Sequence, residues 1–182
     1  MKIQYNAPVV LSFTFATVAV QLIDNLLWAG ISFQYFALIP EMSFHDIMTY
    51  IRLFTHVLGH ASWTHLLGNF TFILLIGPML EEKYGSKNLL MMMIVTGVST
   101  GILNVLMFNT GLMGASGIAF MMILLASFAN FESGKIPLTF ILVLLLFLGE
   151  EIFNSIRADN ISQFAHLIGG AIGTIYGFYF KR

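Results

Sequence analysis

Residues 113–128 read MGASGIAFMMILLASF, in which a short polar opening leads into an unbroken apolar run. A polar side chain at the start of such a run is costly in a lipid bilayer and marks a functional site by default. Residues 164–180 read FAHLIGGAIGTIYGFYF and place a histidine in the matching position of a second apolar segment. Ser116 and His166 together suggest a nucleophile and the general base that activates it.

The composition of the chain indicates an integral membrane protein. Hydrophobic residues make up 58% of the 182 residues and charged residues 9%, and the mean hydropathy is +0.86. A soluble domain carries about 25% charged residues, so this chain has too few to coat a globule in water. The net charge of −1 and the lack of a basic cluster argue against a nucleic-acid partner. The absence of cysteine excludes disulfides, thiolate catalysis and cysteine-bound metal.

Six apolar segments are expected to cross the membrane. They must be helical, because the backbone of a lipid-embedded segment has to satisfy its own hydrogen bonds. The predicted spans are residues 8–28, 65–80, 89–108, 116–131, 136–153 and 164–180. We therefore expect an all-α membrane protein in which residues 1–182 form a single transmembrane domain.

The connection between the first two spans, residues 30–64, is too polar to cross the membrane. Ser43 followed by Asp46 resembles a helix capping box. Apolar residues then recur at helical spacing, namely Phe44, Ile47, Met48, Ile51 and Leu58. This pattern predicts an amphipathic helix lying at the membrane surface, the alternative being a loop that merely packs on the bundle.

The distribution of Lys and Arg predicts the orientation. With six spans, one side of the membrane holds six basic residues, Lys2, Lys83, Lys87, Lys135, Lys181 and Arg182, and the other side holds Arg52 and Arg157. The positive-inside rule then places both termini in the cytoplasm. The second, fourth and sixth spans begin on the outer side, which brings His65, Asn69, Ser116 and His166 to the same end of the bundle.

Glycines near Ser116 and His166 favour close packing of the fourth and sixth spans. Gly169 and Gly173 continue a four-residue repeat after His166, and small residues of this kind allow helix backbones to touch in lipid. Gly114 and Gly117 flank Ser116 and leave room for a peptide to approach its hydroxyl. The alternative is that these glycines serve packing alone and that His166 is a satisfied buried polar group.

His65 and Asn69 lie four residues apart on one helix face and are candidate donors to an oxyanion. The N-terminus of the helix at Ser116 adds unpaired N–H groups and a positive dipole end. For Asn69, hydrogen bonding between helices is an equally good interpretation.

A metal site is the competing interpretation of the histidines. His56 and His60 have i, i+4 spacing, and His65 or His166 could complete a ligand set. The zinc-protease motif nevertheless lacks its glutamate, because Val57 stands in the second place. No metal and no cofactor are expected.

Four short motifs, in this order, resemble the rhomboid family of intramembrane serine proteases. They are residues 60–69 (HASWTHLLGN), the segment from Gly77 through Glu81 to Gly85, the segment 114–117 (GASG), and Ala165-His166 with Gly169 and Gly173. The resemblance implies a six-helix bundle with an interfacial helical loop between helices 1 and 2. It also implies a bacterial-type enzyme in a cytoplasmic membrane, with a site that opens to the outer side.

The resemblance assigns the site residues to a Ser-His dyad without a third acid. Ser116 is the nucleophile, His166 is the general base, and His65, Asn69 and the Ser116 N–H stabilise the oxyanion. The family commonly has a tyrosine four residues after the serine that stacks under the histidine, and Phe120 keeps the ring at that place.

The implied function is a serine endopeptidase whose partners are transmembrane protein substrates in the bilayer. Helix five and the loop at residues 154–163 are candidate gates for substrate entry. Two alternatives stay open: a catalytically silent relative that binds membrane helices, and a histidine-based metal or ion site.

Overall fold

The computed structural model describes residues 3–27, 30–40, 42–43, 45–108, 111–128, 135–155 and 160–180, without the side chains of 147, 148, 150–155 and 160–163. The described residues form eight helices. They are α1 (Pro8–Leu27), α2 (Ile31–Phe36), α3 (Ile47–Thr55), α4 (Trp63–Tyr84), α5 (Ser86–Met107), α6 (Ser116–Ser127), α7 (Leu138–Ser155) and α8 (Asn160–Tyr179).

The helices agree with the prediction of an all-α integral membrane protein. A helix occupies each of the six predicted spans, and α1, α4 and α5 are long and apolar enough to cross a bilayer, with mean hydropathies of 1.6, 1.3 and 2.0. The count of six spans stays a prediction.

The helix in the predicted fourth span closes before the end of that span, and residues 129–131 of the prediction lie outside the described residues. The helix α6 has 12 residues and ends at Ser127 instead of residue 131. The Phe128 N–H bonds the Leu125 carbonyl three residues back, which tightens and closes the last turn. At 1.5 Å per residue α6 is about 18 Å long.

The connection between α1 and α4 contains two helices, of which α2 was not predicted. The predicted capping residue was also wrong, because α3 is capped by Asp46, whose carboxylate accepts the Met48 N–H at 2.9 Å. The Arg52 guanidinium donates to the Gln34 carbonyl at 2.5 Å and ties α3 to α2. The helix α3 buries Thr49 and Leu53 and exposes an apolar face, made of Ile47, Tyr50, Ile51 and Phe54.

The short helix α6 lies at the centre of the bundle. Seven of its 12 residues are buried, and it packs against α4, α5, α7 and α8. A helix that is apolar on all sides is expected to be surrounded by other elements. The N-terminal residue of α6, Ser116, is consequently held among helices from both halves of the chain.

A buried carboxylate ties the far end of α4 to the start of α1. Glu81 is 4% exposed, and its two oxygens accept the N–H groups of Val9 and Val10 at 2.9 and 3.0 Å. The Ser86 hydroxyl donates to the same carboxylate at 2.7 Å. The negative charge thus satisfies N–H groups that the first turn of a helix leaves unpaired.

Replacing Glu81 by alanine should destabilise the protein by about 2–4 kcal/mol, because buried N–H groups lose their acceptor. Thermal unfolding in detergent, followed by circular dichroism, measures the effect. Glu82→Ala is the matched control, since the Glu82 side chain is exposed. Equal unfolding midpoints for the two variants would contradict this role of Glu81.

Candidate active site

The four polar residues predicted to converge do lie around one cavity. This cavity of about 470 Å³ lies between α4, α6, α7 and α8 and is lined by His65, Asn69, Ser116 and His166. Its other lining residues are mostly apolar, namely Gly68, Phe72, Ala119, Phe120, Ile123, Val143 and Leu146. A hydroxyl, two imidazoles and a carboxamide therefore face a common apolar space.

Backbone contact between α6 and α8 brings the serine and the histidine to this cavity. A Cβ atom at Gly169 would overlap the Gly117 carbonyl oxygen, and one at Gly173 would overlap the Met121 carbonyl oxygen. Only glycine permits this approach, as the small-residue repeat predicted. Because Gly117 follows Ser116 and Gly169 is three residues from His166, this contact fixes how the two helices present these two side chains.

The ring of Phe120 packs against the imidazole of His166, with ring centroids 4.1 Å apart and an angle of 34° between the planes. A ring pair at this distance restricts the tilt of the imidazole. Phe120 thus occupies the place under the histidine that was expected for it.

A second cavity, of about 410 Å³, lies beside the first. Ser116 and His65 line both cavities, while Phe33, Leu38 and Met113 line only the second. Leu38 and Leu112 form an antiparallel bridge through two hydrogen bonds of 2.9 and 3.0 Å. This bridge ties the loop before Ser116 to the α2–α3 connection.

Sequence reasoning missed the part played by His60 and gave it only a possible metal role. The His60 Nε2 atom accepts the Asn69 amide at 3.0 Å and the Ala115 N–H at 3.3 Å. A neutral imidazole that accepts at Nε2 carries its proton on Nδ1. His60 therefore orients the Asn69 side chain and the backbone that leads into Ser116.

The loop before Ser116 needs glycine at position 114. Gly114 has a φ of +125°, and a Cβ there would lie 2.7 Å from Cε1 of His65. The Gly114 N–H donates to the His56 carbonyl at 2.9 Å. His65 thus packs directly on the backbone that precedes the serine.

The histidines between α3 and α4, His56 and His60, are poor candidates for a metal site. Among the described residues no group of three His, Cys, Asp or Glu side chains is arranged to hold a metal ion. The Nε2 atom of His60 is already occupied by two N–H donors. The His56 Nδ1 lies 3.1 Å from the Arg52 carbonyl, to which it can donate.

Burial keeps two of these histidines neutral. It lowers the pKa of His56 to about 4, against the opposing effect of the Arg52 and Leu53 carbonyls. Burial also lowers the pKa of His60 to about 4, with a further contribution from the neighbouring His65 and an opposing one from the Leu58 carbonyl. At neutral pH His60 is thus an acceptor, as its two hydrogen bonds require.

The fold and the site define an all-helical integral membrane protein with a serine, histidines and an asparagine around a cavity at one end of the bundle. Residues 47–182 match the rhomboid domain. The chain belongs to the rhomboid family, which confirms the resemblance seen in its motifs.

Named relatives agree with this assignment. The chain is 26% identical to "Rhomboid protease GlpG" of Haemophilus influenzae over 130 residues, which cover 70% of this chain and 68% of that protein. It is 27% identical to "Rhomboid-like protein 11, chloroplastic" and 30% identical to "RHOMBOID-like protein 1", both of Arabidopsis thaliana. These matches cover 75% and 71% of this chain but 46% and 34% of the plant proteins.

Replacing Gly169 by alanine should destabilise the bundle by about 1–3 kcal/mol, because the added methyl group forces α6 and α8 apart. Thermal unfolding in detergent measures the loss. Gly149→Ala in α7 is the control, since a Cβ there meets nothing within 4 Å, and it should be neutral or stabilising by up to about 1 kcal/mol. Wild-type stability of Gly169→Ala would refute direct backbone contact.

Stability should fall as the pH is lowered from about 6.5 to 4. In that window the histidines of the unfolded state bind protons, whereas His56 and His60 in the folded state do not. The free energy of unfolding therefore decreases until the pH reaches the pKa of the folded state, about 4. His60→Gln retains an acceptor and does not titrate, so its unfolding midpoint should vary less with pH. The exposed His45 supplies the control, His45→Gln, which should follow the wild-type curve.

Proposed function

We propose that this protein is an intramembrane serine endopeptidase that cleaves transmembrane protein substrates through a dyad of Ser116 and His166. The observation that carries the proposal is the single cavity shared by these two residues with His65 and Asn69. Membership of the rhomboid family and the relation to a named rhomboid protease support the same chemistry.

In the proposed reaction the Ser116 hydroxyl attacks the peptide carbonyl while His166 accepts its proton. The leaving amine takes this proton from His166, and an acyl-enzyme on Ser116 results. His166 then activates the water that releases the acyl group. The ring of Phe120 restricts the tilt of the imidazole, and no third acid is proposed for the site.

The oxyanion is stabilised by His65, by Asn69 and by the N–H of Ser116 at the start of α6. The Asn69 amide carries two hydrogens, of which one is given to His60. The second is available to a developing oxyanion. His60 thus places a donor without itself contacting the substrate.

Substrate entry is proposed to occur past α7. Val143 and Leu146 of this helix line the same cavity as Ser116 and His65. In the other gate candidate, the loop at residues 154–163, residues 156–159 lie outside the described residues, and no side chain of 154–163 is described.

The proposed setting is a bacterial cytoplasmic membrane with both termini in the cytoplasm and the site opening to the outer side. This orientation follows from the Lys and Arg distribution. Of the residues that give it, Lys2, Arg157, Lys181 and Arg182 lie outside the described residues.

One alternative is a catalytically silent protein that binds membrane helices. The names of the two plant relatives say only that they are rhomboid-like, whereas the bacterial relative is called a protease. A silent protein would have no need of a nucleophile that reacts, so the reactivity of Ser116 separates the two functions.

Ser116→Ala and His166→Ala should each lower the cleavage of single-span substrates in liposomes by at least about 10³-fold, since each removes a member of the dyad. Gel analysis of tagged substrates measures cleavage. The controls are Ser127→Ala, at the opposite end of α6, and His45→Ala, at an exposed turn. Both controls should cleave like the wild type.

A fluorophosphonate, which labels activated serines, should react with wild type and with both controls but not with Ser116→Ala. Cleavage that survives in Ser116→Ala would refute the serine mechanism. Wild-type protein that neither cleaves nor becomes labelled would favour the silent binder.

A further inference from the structure

A third cavity, of about 400 Å³, lies where the end of α1 meets the start of α4. Its polar lining comes from Gln21, Asp24, Asn25 and Ser62, beside the indole of Trp63. Among the described residues that line it, none is Lys, Arg or His. Ala61 lines both this cavity and the one beside Ser116, so the two open at the same end of the bundle.

Gln21 supplies an unsatisfied acceptor in the wall of this cavity. Its side chain is 4% exposed, and its buried Oε1 atom has no hydrogen-bond partner among the described residues. Leaving a buried carbonyl unpaired is costly, and a hydrogen bond from a ligand would remove that cost. Because this oxygen has almost no accessible surface, it bonds a ligand N–H only after the terminal amide of Gln21 rotates toward the cavity, a torsion that is soft in glutamine.

Asp24 gives the wall of this cavity a negatively charged group. One of its carboxylate oxygens accepts the Ile31 N–H at 2.6 Å, which caps α2. A carboxylate has about four acceptor sites, so this bond leaves capacity for a charged donor. Trp63, which is 37% exposed, adds an aromatic face of the kind that attracts organic cations.

The residues around the cavity indicate that a cation bound there would be part of an amphiphilic molecule. Leu22, Leu26 and Leu27, on the same end of α1, are 45%, 76% and 64% exposed, which suits contact with acyl chains. Tryptophan is also typical of the level of lipid headgroups. A hard metal ion fits less well, because it prefers a shell of six or more oxygens and gains nothing from an indole.

We propose that this cavity binds the ammonium headgroup of a membrane phospholipid, with ethanolamine as the fitting chemistry. The ammonium N–H groups bond Gln21 and Asp24 and lie against Trp63. The site is distinct from the cavity of Ser116 and His166, and the proposal does not depend on proteolysis.

The test uses the fluorescence of Trp63 in purified, detergent-solubilised Trp28→Phe protein, in which Trp63 is the one remaining tryptophan. Titration with short-chain phosphatidylethanolamine should give a saturable change. Asp24→Asn removes the charge but keeps an oxygen that can cap α2, and it should weaken binding about tenfold. Asp46→Asn, which alters an exposed carboxylate that caps α3 in the same way, should bind like the parent protein.

Gln21→Met provides a second variant that should remain folded, because it removes an unpaired buried oxygen. It should weaken the binding of phosphatidylethanolamine several-fold. Phosphatidylglycerol of the same chain length lacks the ammonium group and should bind at least tenfold more weakly.

Free ethanolamine tests whether the ligand is a lipid, and it should also bind at least tenfold more weakly than the phospholipid. Equal affinity for the two phospholipids, or unchanged affinity in both Asp24→Asn and Gln21→Met, would overturn the ammonium site. Ethanolamine that binds as tightly as the phospholipid would overturn the assignment to a lipid.

Discussion

The contact on which the active site depends is that between the backbones of α6 and α8. The hydrophobic effect provides little driving force for helices to associate within lipid. Close van der Waals contact therefore has to supply much of the attraction. The absence of side chains at Gly169 and Gly173 lets α8 touch the carbonyl oxygens of Gly117 and Met121. Because Gly117 follows Ser116 and Gly169 lies three residues after His166, the same contact stabilises the bundle and brings these two side chains to one cavity.

The second requirement is a fixed backbone around the serine. Irregular backbone at membrane depth is tolerated only where protein or a water-filled cavity satisfies it. Here the Leu38–Leu112 bridge, the His56 carbonyl and the His60 imidazole hold residues 112–115. This arrangement buries His56 and His60, which must stay neutral. Their burial is the cause of their lowered pKa values.

The position of the serine follows from the length of α6. A helix of about 18 Å is shorter than a hydrocarbon core of about 30 Å, so loops and cavities must fill the remainder. Cavities of about 410 and 470 Å³ adjoin Ser116. Such spaces suit the proposed hydrolysis, which would need both an extended peptide and water beside Ser116.

The sequence by itself determined the membrane class, the position of each long helix and the convergence of Ser116, His166, His65 and Asn69. These follow from hydropathy and from spacing along single helices, which are local properties of the chain. It also predicted the close approach of α6 and α8, since the glycine repeat lies on one helix face. The helix α2, the capping of α3 by Asp46 and the early end of α6 escaped prediction, because short helices and helix ends depend on weak and competing local signals.

Only the tertiary structure decided which polar groups that are distant in sequence form hydrogen bonds with one another. The Glu81 carboxylate meets the N–H groups of Val9 and Val10 from more than seventy residues away, and His60 meets Ala115 across a separation of 55 residues. Hydropathy and motif spacing do not predict such long-range pairs. They form because a buried polar group without a partner is costly, and the packing of the helices determines which partner lies within reach.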